Sequence, residues 1–443
     1  MKRSLLIQQL ARTILAGEPS VKTIVDRCSE TLGFRWQWFP SVARKYVRKF
    51  SGETPPRHQE VEKFIQQDRS FLRAWEKHGR EFVIAQWLTA PARMRPVAAS
   101  RAWDIPRIET SGALAEWLGV TFEELEWFSD LKGLNHRSGS PQLGHYHYRA
   151  LVKDSGEIRL IESPKQRIKE LQQRILKGIL QGVPPHPAVH GFIKGRSIKT
   201  CASVHSGKRV LLRMDMKDFF PSFPARRIQS MFRTLGYPEA VADRLGGVCT
   251  NFTPPAVFRK QAFDPPLSLH ARQWARDLYC RPHLPQGAPT SPLLANICSY
   301  RLDCRLAGLA GSAGATYTRY ADDLAFSGSA EFERVVERFG LHVAAICMEE
   351  GFHVNYRKTR IMRQGVRQHL VGLVANKHPN VIRADFDRLK AMLHNCVRLG
   401  PESQNRNAHP EFRAHLEGKV AFVESINAAK GQRLRSVLNE IVW

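Results

Sequence analysis

The sequence predicts an α+β protein in which a mainly antiparallel sheet is combined with helical segments. Residues 1 to about 90 have the pattern of helices, and strands and helices alternate from residue 208 to residue 376. The chain from residue 384 onward is again helical in pattern. Because several neighbouring strands are joined by short turns, the sheet is expected to be antiparallel rather than parallel.

Length and charge limit what the protein can be. A chain of 443 residues is longer than most single cores, so two to four structural units are expected. The 67 basic and 41 acidic residues give a net charge of +26. Such an excess of positive charge favours a polyanionic partner, above all a nucleic acid, although a merely soluble surface would also explain it. No stretch approaches the 18 apolar residues of a membrane span.

The cysteines and the N-terminus indicate a cytoplasmic protein. The eight cysteines are scattered and form no C-x-x-C pair, which is typical of reduced thiols. Cys280 and His283 form a single C-x-x-H, so no zinc site is expected. The opening "MKRSLLIQQLARTILAG" is interrupted by polar residues and predicts an amphipathic helix, not a signal peptide.

Residues 1–100 are predicted to form a basic helical domain. Apolar residues recur at helical spacing between residues 61 and 75, namely Val61, Phe64, Ile65, Phe71, Leu72 and Trp75. The segment holds 18 basic and 9 acidic residues, a difference of +9. It is either a nucleic-acid-binding module or a solvated helical domain. Pro91, Pro96 and Pro106 then mark a linker.

The next segment predicts two short helices, a hairpin and a basic helix. Thr121 and Glu124 have the spacing of a capping box at the start of the second helix. The stretch "YRALVKDSGEIRLIESPK" predicts two strands joined by a turn at residues 154–156. The basic helix follows in "KQRIKELQQRILKGIL".

Two acidic sites are the strongest candidates for chemistry. In "YTRYADDLAFSG", Asp322 and Asp323 lie side by side in a tight turn between two strands, where each carboxylate raises the cost of ionising the other. Asp215 ends an apolar strand in "LLRMDMKDFFPSF". Enzymes that transfer nucleotides hold two Mg²⁺ ions about 3.5–4 Å apart with such oxygen ligands. Taken singly, each site is better explained as an ordinary strand end or solvated turn, and only their combination with the loop between them favours catalysis.

A loop and helix start lie between the two acidic sites. In "HLPQGAPTSPLLANI", Thr290 or Ser291 can cap a helix, and Pro292 suits its first turn. Leu293, Leu294 and Ile297 are expected to face a core.

The loop "QGAPTSP", followed about thirty residues later by "YADD", resembles the reverse transcriptases, in particular the bacterial retron and group II intron branch. The resemblance covers roughly residues 105–443. It implies a right-hand polymerase with fingers at 101–209, a palm at 210–376 and a thumb at 377–443, so that residues 1–100 become an accessory domain. It also implies a bacterial, cytoplasmic enzyme.

The resemblance assigns catalytic roles to four residues. Asp215, Asp322 and Asp323 match the triad that binds two Mg²⁺ ions. Lys358, in "HVNYRKTRI", matches a position proposed to protonate the pyrophosphate leaving group. Asp218 matches a second acidic position that is not expected to bind metal.

It further assigns binding roles to five residues. Phe220 matches an aromatic gate that would exclude a 2′-hydroxyl, although core packing would also explain it. Gln286 matches a residue lining the nucleotide pocket. Arg159 and Lys165 match residues that grip the triphosphate, unless they are simply exposed hairpin charges. Gly372 matches the primer grip, unless it is a glycine in an ordinary bulge.

Two motifs resemble those of retron enzymes, and in this chain each motif contains a substitution. Retron enzymes usually carry N-A-x-x-H, and here Cys201 and Ala202 precede His205; they usually carry V-T-G, which here is Leu370, Val371, Gly372. The stretch from Asn251 to His283 is longer than such enzymes have, so an inserted loop or helix is expected.

The retron likeness implies partners and a setting. These are a structured non-coding RNA that is both template and primer, dNTPs, an RNA–DNA hybrid product, RNA-linked DNA (msDNA), antiphage defence and a separate effector protein. An intron-encoded enzyme would need maturase and endonuclease segments beyond the thumb, for which a chain ending at Trp443 leaves no room. A solitary defence-associated reverse transcriptase of another lineage would fit the altered motifs, and a catalytically silent RNA-binding scaffold would fit the basic charge.

Overall fold

The computed structural model describes residues 1–52, 56–87, 93–134, 143–152, 157–258 and 268–443, and these form two compact units. The first unit contains Met1–Pro184 and Phe220–Cys298, and the second contains Pro185–Phe219 and Ser299–Trp443. Pro91 and the predicted turn at residues 154–156 lie outside the described residues. The structure is α+β, as predicted.

The N-terminal part of the first unit is a bundle of five helices around a common apolar core. The helices are α1 (Arg3–Leu15), α2 (Val21–Leu32), α3 (Phe39–Lys49), α4 (His58–Gln67) and α5 (Arg69–His78). The predicted apolar stripe is divided between α4 and α5 because Asp68 begins a new helix. Its Oδ1 accepts hydrogen bonds from the backbone N–H groups of Ser70 (2.8 Å) and Phe71 (3.1 Å).

The next elements of the first unit agree with the sequence pattern. They are α6 (Ser111–Leu118), α7 (Phe122–Ser129), the antiparallel strands β1 (Tyr146–Val152) and β2 (Ile158–Pro164), and α8 (Gln166–Gly178). The predicted capping box starts α7: Glu124 N–H donates to Thr121 Oγ1 (3.2 Å), and Thr121 N–H donates to Glu124 Oε2 (2.9 Å).

The chain then enters the second unit and returns to the first. Helix α9 (Ile198–Val204) and strand β3 (Val210–Lys217) belong to the second unit, and α10 (Ala225–Thr234), α11 (Glu239–Val248), α12 (Leu269–Tyr279) and α13 (Ser291–Cys298) to the first. Helix α12 lies within the stretch predicted to hold an extra loop or helix. The backbones of Asn251 and His283 close this stretch through two hydrogen bonds of 2.9 and 3.0 Å.

The second unit contains the antiparallel sheet that the sequence predicts. Its elements are α14 (Tyr300–Ser312), β4 (Thr316–Tyr320), β5 (Asp323–Gly328), α15 (Ala330–Glu349), β6 (His353–Val354) and β7 (Arg360–Arg363). The strand order is β4-β5-β3-β6, and β7 also pairs with β3. All of these pairings are antiparallel.

The C-terminal part of the second unit is a short hairpin followed by three helices. These are β8 (His369–Leu370), β9 (Leu373–Val374), α16 (Arg383–Leu399), α17 (Phe412–Ile426) and α18 (Ala428–Asn439). On α16, Leu389, Leu393 and Cys396 are buried as predicted, and Phe386 packs at the edge of the same core. Val397, which was expected on this face, is 38% exposed.

The structure bears on two further expectations. All eight cysteines are free thiols. In the described parts of the chain, we find no helix that combines the length and apolarity needed to cross a membrane. The boundaries of fingers, palm and thumb stay predictions.

Candidate active site

The antiparallel sheet of the second unit brings the three predicted carboxylate residues together. Asp215 on β3 lies directly opposite Asp323 on β5 in the strand register. Next to this pair, the backbone N–H of Met216 donates to the carbonyl oxygen of Asp322 (2.9 Å). Asp215 is buried, and β3 continues two residues past it to Lys217 instead of ending there. Two distant stretches of sequence therefore meet at one end of the sheet.

The turn that carries Asp322 is held by a buried arginine. Tyr320 pairs with Asp323, so Ala321 and Asp322 are the turn residues, and Ala321 has a φ of 55°, in the left-handed region that alanine rarely adopts. The Arg319 Nη1 donates to the carbonyl oxygen of Ala321 (3.2 Å). Arg319 thus stabilises a turn conformation that alanine at position 321 does not favour.

Arg319 is in turn fixed by a fully buried ion pair. Its Nε and Nη2 donate to the two carboxylate oxygens of Asp303, each at 2.7 Å, and both side chains are inaccessible to solvent. The Tyr317 hydroxyl donates to the same carboxylate (2.7 Å). Asp303 on α14 therefore anchors the hairpin that carries two of the catalytic candidates.

The backbone of a neighbouring segment packs closely against the same turn. His190 N–H donates to the Arg319 carbonyl (2.8 Å), and Arg319 N–H donates to the Ala188 carbonyl (2.9 Å). A Cβ added to Gly191 would lie 2.7 Å from the backbone nitrogen of Ala321. Glycine is therefore required at 191 because any larger residue would displace the turn.

The residues of the altered N-A-x-x-H motif contact both strands of the hairpin. The buried His205 ring hydrogen-bonds to Thr318 Oγ1 on β4 through Nε2 and to Ser327 Oγ on β5 through Nδ1, each at 2.7 Å. Cys201 Sγ lies 3.4 Å from the same Thr318 hydroxyl. Burial lowers the pKa of His205 to about 3, so the ring is neutral. The motif thus fastens α9 to the strands that carry the candidate site.

Burial and mutual repulsion dominate the electrostatics of the carboxylates. Burial raises the pKa of Asp322 to about 6, and the charges of Asp215 and Asp323 add to the increase. Burial also raises the pKa of Asp323, while Arg213 opposes the increase by donating to its two oxygens at 2.8 and 3.1 Å. The site concentrates negative charge that is only partly compensated.

Two of the carboxylates face cationic side chains. Lys358 Nζ lies 3.1 Å from Asp215 Oδ2, and Arg213 holds Asp323. Among the described residues, no three His, Cys, Asp or Glu side chains are arranged as a ready metal-binding group. The donor set nevertheless fits Mg²⁺ chemically, since carboxylate oxygens are its preferred ligands and a divalent cation would relieve the repulsion that raises the Asp322 pKa.

The predicted nucleotide-binding residues all belong to the first unit, separately from the carboxylates. Phe220 is half-buried, and its neighbour Phe219 is buried and packs against Phe352. Arg159 is exposed on β2, and Lys165 is the half-buried residue that precedes α8. The roles proposed for these residues stay predictions.

The loop before α13 is tied to the β1–β2 hairpin. The Gln286 carbonyl accepts a hydrogen bond from Glu162 N–H (2.9 Å), and a Cβ on Gly287 would lie 2.5 Å from the Glu162 carbonyl oxygen. Helix α13 begins at Ser291, with Pro292 in its first turn, and the Ser291 hydroxyl donates to the Pro285 carbonyl oxygen (2.6 Å). Leu294 is fully buried, whereas Leu293 and Ile297 are only half-buried.

Gly372 occupies a tight turn, not a bulge. Leu370 pairs with Leu373, so Val371 and Gly372 are the two central residues of the β8–β9 hairpin. Their φ angles are 44° and 83°, and a two-residue hairpin turn with positive φ at both positions is the type that favours glycine. The bulge interpretation is therefore wrong. The primer-grip role stays a prediction.

Sequence reasoning missed a buried polar network in the first unit. Glu162 accepts hydrogen bonds from Asn251 Nδ2 and Thr253 Oγ1, each at 2.8 Å, and lies 2.9 Å from His283 Nε2. Glu162 and His283 are both inaccessible to solvent. The only indication in the sequence was Glu162 itself, a charged residue at a position of the predicted strand "IRLIESP" whose side chain should face the core. Asp303, Arg213 and Arg319 were likewise missed.

Comparisons with known proteins place this geometry in a family. Residues 151–381 match the family model described as reverse transcriptase (RNA-dependent DNA polymerase). The retron Mx65 reverse transcriptase of Myxococcus xanthus is 39% identical over 339 residues, which cover 75% of this chain and 72% of that protein.

Two further relatives have the same kind of name. The retron Mx162 reverse transcriptase of Myxococcus xanthus is 34% identical over 77% of this chain and 69% of that protein. The retron Ec86 reverse transcriptase of Escherichia coli is 30% identical over 64% of this chain and 77% of that protein. The chain therefore belongs to the reverse transcriptase family, and it is an RNA-directed DNA polymerase of the retron type.

Proposed function

We propose that the protein synthesises DNA on a structured RNA through a two-magnesium site formed by Asp215, Asp322 and Asp323. The observation that carries the proposal is the strand register, which sets Asp215 opposite Asp323 and next to Asp322. When bound, the two ions would lower the barrier by activating the primer hydroxyl and neutralising charge that develops on the triphosphate. The protein contributes a rigid, partly buried set of carboxylates.

Lys358 is proposed to protonate the pyrophosphate that leaves. Its ammonium group already lies at the site, 3.1 Å from Asp215 Oδ2, and its side chain is 55% exposed. A half-exposed lysine can move from the carboxylate towards a phosphate oxygen without unpacking a core. Its pairing with Asp215 supports both this role and a simpler role as counter-ion.

The catalytic proposal is tested by removing the charge of the turn carboxylates. Asp322→Asn combined with Asp323→Asn should abolish dNTP incorporation on a primed RNA template, because Mg²⁺ would lose two ligands. RNA binding should change little. Asp218→Asn is the matched control, since this residue follows the same strand and is not expected to bind metal; it should retain most of the activity. Undiminished synthesis by the double variant would reject the site.

Four residues of the first unit are proposed to bind the nucleotide. Arg159 and Lys165 would hold the triphosphate, Gln286 would line the pocket, and Phe220 would exclude a 2′-hydroxyl. Support comes from the exposure of Arg159 on β2 and from the fact that Phe220 is not fully buried.

The gate is tested by Phe220→Ala. The variant should incorporate ribonucleotides more readily relative to deoxynucleotides, because the ring that would clash with the 2′-hydroxyl is gone. Competition between rGTP and dGTP in a primer-extension assay measures the ratio. An unchanged ratio would remove the gate from the proposal.

We also infer the biological setting from the retron type. The primer is proposed to be a 2′-hydroxyl of a guanosine in the enzyme's own non-coding RNA, which would give branched RNA-linked DNA. A role in antiphage defence, in the bacterial cytoplasm and with a separate effector protein, completes the proposal. Sequencing the nucleic acid that copurifies with the protein tests it: covalently joined RNA and DNA supports it, and the recovery of unlinked RNA alone from active cells would oppose it.

A further inference from the structure

One side of the N-terminal bundle carries a dense group of exposed cations. Helix α3, "FPSVARKYVRK", contains no acidic residue, and α5, "RSFLRAWEKH", contains one, Glu76. The exposed cations of this side, called here the basic surface, are Arg44, Arg48, Arg69, Arg73 and Lys77.

The N-terminal parts of the two helices are in contact, which brings their cations to one region of the bundle. Ser41 Oγ on α3 hydrogen-bonds to Ser70 Oγ on α5 (2.9 Å). Arg44 and Arg48 follow Ser41 by three and seven residues, and Arg73 and Lys77 follow Ser70 by the same intervals. Residues at these intervals share one side of a helix. Both pairs of cations therefore lie on the sides of α3 and α5 that carry Ser41 and Ser70, the residues through which the helices are in contact.

Acidic groups of the bundle do not neutralise this surface. Asp68 at the start of α5 is buried, caps that helix and pairs with Lys45 Nζ (2.8 Å). Glu76 follows Arg73 by three residues and Arg69 by seven, so it lies on the same side of α5 and offsets one of the five positive charges. Within the part of the chain that the structure describes, no ion pair involves the five cations of the basic surface. Their repulsion is free to be relieved by a polyanion.

We propose that the basic surface binds the phosphate backbone of RNA, as a second contact separate from the polymerase site. Arginine and lysine donate charge-assisted hydrogen bonds to phosphate oxygens. The aromatic residues of α3 and α5 pack inside the bundle, where Phe39, Tyr46 and Phe71 are buried and Trp75 stacks on Phe82, so base stacking is not the basis of binding. The surface therefore suits paired RNA that is recognised by its backbone. The proposal depends on the proposed function at one point only, which is that the bound RNA is the enzyme's own non-coding RNA.

Charge removal on the full-length protein tests the surface against a matched control. The surface variant is Arg48→Gln, Arg73→Gln and Lys77→Gln. The control is Arg12→Gln, Lys22→Gln and Lys63→Gln, which removes three exposed cations from α1, α2 and α4 of the same bundle. Both variants lose the same charge. Affinity is measured by fluorescence anisotropy with a labelled RNA hairpin at several KCl concentrations.

The surface variant should bind the hairpin about 10- to 100-fold more weakly, and the slope of log affinity against log salt should become shallower by about 2 to 3. The control should change far less. Equal weakening of both variants, or no weakening of either, would overturn the proposal. Arg48→Lys with Arg73→Lys keeps the charge and should keep the affinity, and loss of affinity there would also count against phosphate binding.

Two measurements separate this proposal from the polymerase proposal. Extension of a DNA primer on a short RNA template at saturating concentration should proceed at the wild-type rate in the surface variant, which also shows that the protein is folded. The Asp322→Asn, Asp323→Asn protein should bind the RNA hairpin with wild-type affinity. Failure of the catalytic site would therefore leave the RNA-binding result intact.

Discussion

At the scale of single residues, the candidate site depends on a charge pair that has no contact with solvent. Asp303 and Arg319 are both fully buried, and Arg319 reaches from this pair to the turn at Ala321. A buried pair contributes little net stability compared with apolar packing, but the loss of one partner leaves the other charge without compensation. The pair is thus more important for the conformation of the turn than for overall stability.

We expect Asp303→Asn to destabilise the second unit by about 3–5 kcal/mol, because the Arg319 guanidinium would be left buried without a counter-charge. Urea denaturation of the full-length protein measures the change. The matched control is Glu424→Gln, which breaks the partly exposed pair with Arg435 in the same unit and should destabilise the protein far less. Similar losses for the two variants would show that burial of the Asp303 pair has no special effect.

At the scale of secondary-structure elements, α9 and the β4–β5 hairpin are coupled through a neutral histidine. The His205 ring bridges hydroxyl groups on both strands. Its pKa is lowered to about 3 by burial, compared with about 6.5 in an unfolded chain. A group whose pKa is lower in the folded state stabilises the fold fully above the unfolded pKa and loses this contribution as the pH falls. The coupling should therefore weaken in acid.

The lowered pKa of His205 is tested by comparing how the stability of the wild-type protein and of His205→Gln depends on pH. Between pH 7.5 and pH 5.5, the free energy of unfolding of the wild-type protein should fall by about 1.4 kcal/mol more than that of the variant, because only the wild-type unfolded chain takes up this proton. His378→Gln, at an exposed site, should follow the wild-type protein. Parallel pH profiles for wild type and His205→Gln would contradict a neutral buried ring.

The type and position of many helices and strands could be predicted from the sequence, whereas the contacts between distant elements could not. The capping box at Thr121 and the two strands around the YADD turn follow from local spacing alone. The interruption of the apolar stripe at Asp68 could also have been predicted, because aspartate is a frequent first residue of helices. By contrast, Glu162 and His283 are 121 residues apart, so no local pattern links them.

At the scale of the whole molecule, charge determines how the protein meets its template. A net charge of +26 is carried by a chain whose catalytic candidates are acidic. The RNA template must therefore be attracted electrostatically by surfaces other than the acidic candidate site. The basic surface of the bundle is one such place, and its distance in sequence from the carboxylates allows the two functions to be separated by mutation.

We expect the affinity for RNA to fall steeply with salt, by about 10³-fold or more between 50 and 200 mM KCl if six or more phosphates are contacted. Filter binding over this range measures the slope. The reason is that each phosphate neutralised by the protein releases condensed counterions. An affinity that is insensitive to salt would mean that base contacts, not the backbone, dominate binding.

The two hydrogen bonds between Asn251 and His283 have a consequence for how this chain can vary. They join the two ends of the stretch that contains α12, and this stretch belongs to the first unit. Within this stretch, Ala275 and Tyr279 of α12 pack in one apolar core with Leu160 of β2, so α12 is not free to change. Changes of length elsewhere between the joined ends cost little conformational entropy, provided that the two residues joining them, and the Glu162 carboxylate that both of them contact, are kept.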